Sequence, residues 1–216
     1  MPSNTSSRTE RDVSIVELET PHGLAHAHLQ LAAAPVGALV LGHGAGGGVT
    51  APDLVTTAET ALGLGVSVAH VEQPYRVAGR RSPAPAHQLD TAWVAVVGQL
   101  HARIFGGLPL LVGGRSSGAR VACRTSDATG AAGVLCLAFP LRPPRRGGQE
   151  RPSRLHELEA VRVPVLVVQG ARDPFGLPPA SSMRSVVSVP GDHSLRTARA
   201  ALCDAVAAWL RELVPR

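Results

Sequence analysis

The chain has 216 residues, 44% of them hydrophobic and 3% aromatic, with a formal net charge of +5. These values suit one globular domain with its own core and exclude a disordered protein. No apolar run approaches the roughly 20 residues that span a bilayer, so we expect no membrane partner. All basic residues are arginines, scattered along an alanine-rich chain, so we expect no nucleic-acid partner either.

The start of the chain is polar. Residues 1–11 lack the apolar core of a signal peptide. We therefore expect a frayed tail there, a single domain over 12–216 and a cytoplasmic location. The three cysteines are widely spaced in apolar stretches, and this pattern predicts neither a disulfide framework nor a zinc site.

The predicted elements begin with a hairpin. Segments 13–19 and 25–31 alternate between apolar and polar residues around the turn residues Pro21, His22 and Gly23. The runs that follow are almost continuously apolar, which is typical of parallel strands buried on both faces. They lie at 37–42, 65–71, 108–112, 133–137 and 163–168, with a last strand expected at 185–189.

Segments with apolar residues at helical spacing lie between and after these strands. They are 52–64, 86–104, 117–126 and 195–213. A hairpin followed by alternating strands and helices predicts an α/β fold with a mainly parallel sheet and helices on both faces. The segment 142–152 is rich in proline, glycine and arginine, and we expect a mobile loop there.

One strand end carries a nucleophile motif. Functional groups of open α/β sheets gather at the carboxyl ends of the strands. There, Gly114-Arg115-Ser116-Ser117-Gly118 fits G-x-S-x-G with Ser116 at the serine position. The glycines allow a sharp, strained turn, because side chains at those two positions would collide with the neighbouring strand and helix. A single match often marks only a turn, so further residues are needed.

A serine nucleophile needs a base, and the base needs an orienting acid. Asp173 and His193 follow Ser116 in the chain order used by α/β-hydrolases, each just beyond a predicted strand. Separately, these two residues are better explained as an Asx turn and a surface histidine. Together with Ser116 they predict a catalytic triad. Asp192 is an alternative acid, but it adjoins His193 and we expect its side chain to point elsewhere.

The glycine-rich loop after the strand at 37–42 supplies the remaining part of such a site. Backbone N–H groups stabilise the negative oxygen of a tetrahedral intermediate. We expect one donor from Ser117 and the other from Ala45, with Gly46 as the second choice. Small residues in this loop allow the backbone to approach a substrate.

Two alternatives remain open. Residues 42–47 also match G-x-G-x-x-G, with Glu72 as the acidic residue near the end of the next strand. A dinucleotide-binding oxidoreductase would leave the serine, aspartate and histidine unexplained. The other alternative is a non-catalytic scaffold of the same fold whose arginines bind an acidic partner.

Taken together, the motifs resemble α/β-hydrolases of the dienelactone-hydrolase-related kind and, more narrowly, the testis-expressed-protein-30-like hydrolases. The resemblance covers the chain from about residue 35 onward through LGHGAGG, QPYRVAGRRSPAP, GGRSSGARVA, FPLRPP, VPVLVVQGARDPFG and GDHSL. It implies a carboxylesterase-like serine hydrolase with Ser116 as nucleophile, His193 as base and Asp173 as its orienter. It implies no metal or organic cofactor. The chain departs from the pattern at Ser117, where similar elbows have methionine, and at Arg142, where related chains have histidine.

The resemblance also suggests where substrate binds. Segment 142–154 stands where α/β-hydrolases insert a lid, and its shortness implies a minimal lid and an open site. Residues expected to border the mouth are His43, Gly46, Tyr75, Arg76 and Arg142. For segment 75–81, a solvated basic loop is an equally good explanation. The expected partner is a small-molecule ester or related acyl compound, while its chain length and the oligomeric state stay open.

Overall fold

The computed structural model describes residues 13–143, 149 and 151–215. The predicted tail at 1–11 lies outside the described residues, as do 144–148 and 150 of the predicted mobile loop.

Within the described residues, eight strands form one sheet in the order β1-β2-β4-β3-β5-β6-β7-β8. β1 and β2 form an antiparallel hairpin that pairs with β4, and the strands from β3 onward run parallel. This arrangement confirms the predicted hairpin and parallel sheet. The strands are β1 (Ser14–Thr20), β2 (Gly23–Gln30), β3 (Gly37–Gly42), β4 (Val66–Glu72), β5 (Leu110–Arg115), β6 (Gly133–Leu137), β7 (Val165–Gly170) and β8 (Arg184–Val189).

Helices cover both faces of the sheet, as predicted. α1 and α6 pack on one face through an apolar cluster that includes Leu54 and Val206, and α3 and α4 pack on the other around Trp93. In the described part of the chain, no helix is long and apolar enough to cross a bilayer. The helices are α1 (Pro52–Gly63), α2 (Pro74–Val77), α3 (Ala86–Arg103), α4 (Ser117–Thr129), α5 (Leu155–Glu159) and α6 (Arg199–Leu213).

The burial of the strands follows the two sequence patterns. Every residue of β3, β6 and β7 is buried, as expected for continuous apolar runs covered by helices on both sides. β2 alternates instead, with Ala25, Ala27 and Leu29 buried and the polar residues between them partly exposed. The hairpin therefore lies at one end of the sheet, with one face packed on the core and the other partly exposed to solvent.

Two predicted helix boundaries are wrong. The last helix begins at Arg199 rather than at 195, because Leu195 has a φ of 54° that no right-handed helix accepts. α4 continues past 126 to Thr129. The polar side chains near its end fit within a helix, since Thr125 Oγ1 donates a hydrogen bond to the Val121 carbonyl at 2.7 Å. The short helices α2 and α5 were not predicted, since each is too short to show a period.

Candidate active site

Ser116 sits in a strained turn between β5 and α4. Its φ and ψ are 53° and −107°, a region that costs a non-glycine residue on the order of 1–3 kcal/mol. The Ser116 N–H donates to the Leu137 carbonyl at 2.9 Å. A Cβ added to Gly118 would lie 2.5 Å from the carbonyl carbon of Gly42, and one on Gly114 would lie 2.9 Å from that of Gly118. Only glycine therefore fits on either side of the serine.

The predicted base and acid lie next to this serine. Ser116 Oγ donates to His193 Nε2 at 3.0 Å, and His193 Nδ1 donates to Asp173 Oδ2 at 2.8 Å. The Asp173 side chain is fully buried, whereas His193 stays partly open to solvent. The Phe175 ring meets the His193 ring edge-on with centroids 4.5 Å apart. The three side chains thus form one hydrogen-bonded chain that ends at the serine hydroxyl.

Asp173 is held by two groups to which the sequence analysis assigned no role. Its Oδ1 accepts the Phe175 N–H at 2.9 Å, and Gln169 Nε2 lies 2.8 Å from its Oδ2. Gln169 is completely buried and also donates to the Phe139 and Gly176 carbonyls. Gln169 lies within the stretch VPVLVVQGARDPFG, and a glutamine at the end of an otherwise apolar strand is the signal that could have identified it.

The alternative acid, Asp192, faces away from the histidine. Its Oδ1 accepts hydrogen bonds from the backbone N–H and the hydroxyl of Ser194, at 2.8 and 2.6 Å. These bonds hold the pKa of Asp192 below its ordinary value. Asp192 therefore closes a turn at the surface, and the carboxylate that contacts the His193 ring is that of Asp173.

The two backbone amides predicted to receive an oxyanion lie in different elements. Ser117 is the first residue of α4, so its N–H has no acceptor within the helix. Ala45 lies in the loop after β3, and Tyr75 Oη donates to its carbonyl at 3.0 Å. In the hydrogen bonds of the described residues, neither amide donates to a protein acceptor.

His43 fixes the root of the same loop. Its Nδ1 donates to the Gly44 carbonyl at 2.8 Å, and its Nε2 accepts the Gln73 N–H at 3.2 Å. Burial lowers the pKa of His43, so the ring stays neutral and keeps this donor–acceptor arrangement. Both ring nitrogens are engaged, which leaves only the ring face to border a substrate.

The other pocket candidates differ in their exposure. Tyr75 is buried at the start of α2 and packs against His43 with ring centroids 5.8 Å apart. Arg76 is half-buried, whereas Gly46 and Arg142 are exposed. The Arg142 N–H donates to the Phe175 carbonyl at 2.8 Å, which places Arg142 beside the loop that carries Asp173.

Two small pockets adjoin each other, and Tyr75 lines both. One is bordered by Gly42, Trp93 and Ser117, next to the elbow. The other is bordered by Arg80 and Gln88 among others. Neither is lined by Ser116 itself. Within the described ranges, no three metal-ligating side chains converge on one point.

The dinucleotide alternative is not favoured by this geometry. In that motif the glycines open a helix whose N-terminus receives the pyrophosphate. Here α1 begins only at Pro52, well after the glycines, and the buried carboxylate of Asp53 lies in its first turn. Glu72 faces the antiparallel hairpin, with Oε2 3.8 Å from His26 Nδ1 and 3.6 Å from His28 Nε2.

The family model described as "Alpha/beta hydrolase domain" matches residues 35–207. The chain belongs to this alpha/beta hydrolase family. The match includes the elbow, the glycine loop and both partners of Ser116. Membership supports hydrolase activity and accounts for the sheet order and for the strained turn between β5 and α4. A comparison with curated proteins gives no match.

Solved structures share the fold at low sequence identity. A serine hydrolase without a lid, XC6422 of Xanthomonas campestris, is 18% identical, has a TM-score of 0.73 and covers 95% of this chain and 96% of its own. A dienelactone hydrolase of Anabaena variabilis is 16% identical with a TM-score of 0.74, over 94% of this chain and 99% of its own. The esterase domain of a Rhodothermus marinus protein is 17% identical with a TM-score of 0.68, over 93% and 99%. These likenesses confirm the predicted α/β-hydrolase fold.

Proposed function

We propose that the protein is a serine hydrolase that cleaves an ester or related acyl bond of a small molecule. The observation that carries this proposal is the continuous hydrogen-bonded chain from Ser116 through His193 to Asp173, with bonds of 3.0 and 2.8 Å. Family membership supports the same class of reaction. A buried carboxylate, a partly open imidazole and a hydroxyl in a strained turn are the groups that acyl transfer requires.

In the proposed reaction, Ser116 Oγ attacks the substrate carbonyl carbon while His193 Nε2 takes the hydroxyl proton. The carbonyl oxygen becomes negatively charged and accepts hydrogen bonds from the N–H groups of Ser117 and Ala45. The intermediate collapses, the bond to the leaving group breaks, and His193 gives the proton to that group. A water molecule then attacks the acyl-enzyme with His193 again as base. This releases the acid and regenerates Ser116.

Asp173 keeps His193 in the productive tautomer. Because Asp173 accepts the Nδ1 proton, the lone pair of Nε2 faces the serine, and the carboxylate stabilises the imidazolium that forms. The bonds from Gln169 and Phe175 fix the carboxylate in turn.

For the substrate, we propose a small acyl compound that reaches the serine at the carboxyl edge of the parallel strands. The partial exposure of His193 supports direct access. We further propose that the protein belongs to the testis-expressed-protein-30-like subfamily, and the motifs quoted from its sequence support this assignment. Arg142 and Arg76 are the proposed polar contacts at the mouth.

The test is covalent labelling with a fluorophosphonate, which reacts with activated serines. We expect the wild type and Ser116→Ala to differ completely, with labelling in the wild type alone. Ser117→Ala is the matched control, since it removes a neighbouring hydroxyl and keeps the backbone N–H; it should label at close to the wild-type rate. A folded wild type that takes up no probe would refute the proposal.

A further inference from the structure

Arg115 connects three parts of the candidate site. It precedes Ser116 in the elbow, and its Nη2 donates to the backbone carbonyl of His193 at 2.9 Å. Its Nε lies 2.8 Å from Asp53 Oδ2, in the first turn of α1. A Cβ added to Gly44 would lie 3.1 Å from Nη1, so the guanidinium packs directly against the candidate oxyanion loop.

The ion pair gives this arginine a fixed position. The Asp53 side chain is fully buried, and its Oδ1 accepts the Leu54 N–H at 3.0 Å. Burial raises the pKa of Asp53, and the positive charge of Arg115 opposes that rise. An isolated buried carboxylate is costly, so the pair holds together and the planar guanidinium is oriented by it.

The loop that carries His193 needs such a contact. Gly191 and Leu195, on either side of the histidine, both have positive φ values, of 117° and 54°. Neither conformation belongs to a regular element, so the local structure beside the histidine is the turn that Asp192 closes. In the described part of the chain, the one hydrogen bond to the backbone of His193 comes from Arg115.

We infer that Arg115 is a positioning residue, which holds the His193 backbone and the oxyanion loop in register with Ser116 through its pair with Asp53. The inference rests on the proposed function for its effect on rate. Arg115 touches no reacting atom in this scheme. Its guanidinium instead fixes the distance between a nucleophile and a base that lie far apart in the chain.

The chain offers a closely matched control. Arg120 lies one helical turn after the elbow and pairs with Glu157, with Nε 2.8 Å from Oε2. The side-chain exposures are 24% and 5% for this pair and 19% and 0% for Arg115 and Asp53. Arg120→Met therefore removes a comparably buried ion-pair contact without touching His193 or the oxyanion loop, while Glu157 keeps Arg124 at 3.3 Å.

The experiment measures the second-order rate of fluorophosphonate labelling for Arg115→Met, Arg115→Lys and Arg120→Met. We expect Arg115→Met to label on the order of 10- to 100-fold more slowly than the wild type, because a displaced base loses its alignment with the serine. Arg120→Met should stay within about threefold. Arg115→Lys keeps the positive charge beside Asp53, so it should fold like the wild type. It should still label slowly, because an ammonium group lacks the planar fork that contacts Asp53 and the His193 carbonyl together.

Backbone hydrogen exchange over 190–198 gives a readout that does not need activity. We expect faster exchange there in both Arg115 variants and no change in Arg120→Met. Unchanged exchange, or labelling of Arg115→Lys at the wild-type rate, would overturn the inference. An unlabelled wild type would instead reject the proposed function, and exchange alone would then decide whether Arg115 holds the loop.

Discussion

Gly118→Ala is the sharpest test of how the elbow is built. The new Cβ would lie 2.5 Å from the Gly42 carbonyl carbon and 2.9 Å from the His43 carbonyl oxygen, and both atoms belong to backbone that cannot rotate away. Carbon atoms in contact settle at roughly 3.5 Å, so the loop and the elbow must separate by about 1 Å.

That displacement acts directly on the proposed oxyanion hole, because Ala45 and Ser117 lie on the two segments that move apart. A misplacement of about 1 Å can reduce a rate by roughly 100-fold. Overpacking of a tight backbone contact costs about 1–3 kcal/mol of stability. We therefore expect Gly118→Ala to label about 100 times more slowly and to unfold at a lower urea concentration.

Gly98→Ala is the control, since it makes the same chemical change in the middle of α3, where an added Cβ meets nothing within 4 Å. It should raise the free energy of unfolding by about 0.5–1 kcal/mol and leave labelling unchanged. Wild-type labelling by Gly118→Ala would show that the contact with Gly42 does not position the site.

Three further outcomes follow from how far single side chains are buried. Burial lowers the pKa of His70 from 6.5 to about 4, so only the unfolded chain takes up this proton between those pH values and stability is lost as the pH falls. The loss reaches about 2 kcal/mol at pH 5. Between pH 7 and 5, the free energy of unfolding in urea should therefore fall by about 2 kcal/mol less in His70→Gln than in the wild type. Tyr75→Phe removes the donor to the Ala45 carbonyl and should cost about 1 kcal/mol in urea unfolding and slow labelling a few-fold; an unchanged rate would mean that the loop is held by other contacts. Cys203 is partly exposed while the other two thiols are buried, so an aromatic disulfide reagent should titrate one thiol in the native protein and three after unfolding.

Local pattern was enough to predict most of the sheet. The bounds predicted for the third and sixth strands, 37–42 and 133–137, are those of β3 and β6. Two predicted starts, at 108 and 163, are wrong because Pro109 and Pro164 stand before the ladders that begin at 110 and 165. A continuous apolar run indicates burial, but it does not say where backbone pairing begins.

The serine, aspartate and histidine were found in the sequence because each follows a recognisable strand, and parallel strands bring their carboxyl ends to one edge. The contacts of Gln169 and Arg115 were not found. Their partners lie on other segments, and no period or spacing along the chain records such a meeting.

By itself, the sequence determined the fold class and the residues that carry the proposed chemistry, since burial patterns and short motifs are written locally. The tertiary structure alone decided how those residues are held. It placed Gln169 against Asp173 and paired Arg115 with Asp53. Hydrogen bonds and ion pairs form only when donor and acceptor atoms of remote segments lie within a few tenths of an ångström of about 3 Å, and only the packed chain sets those distances.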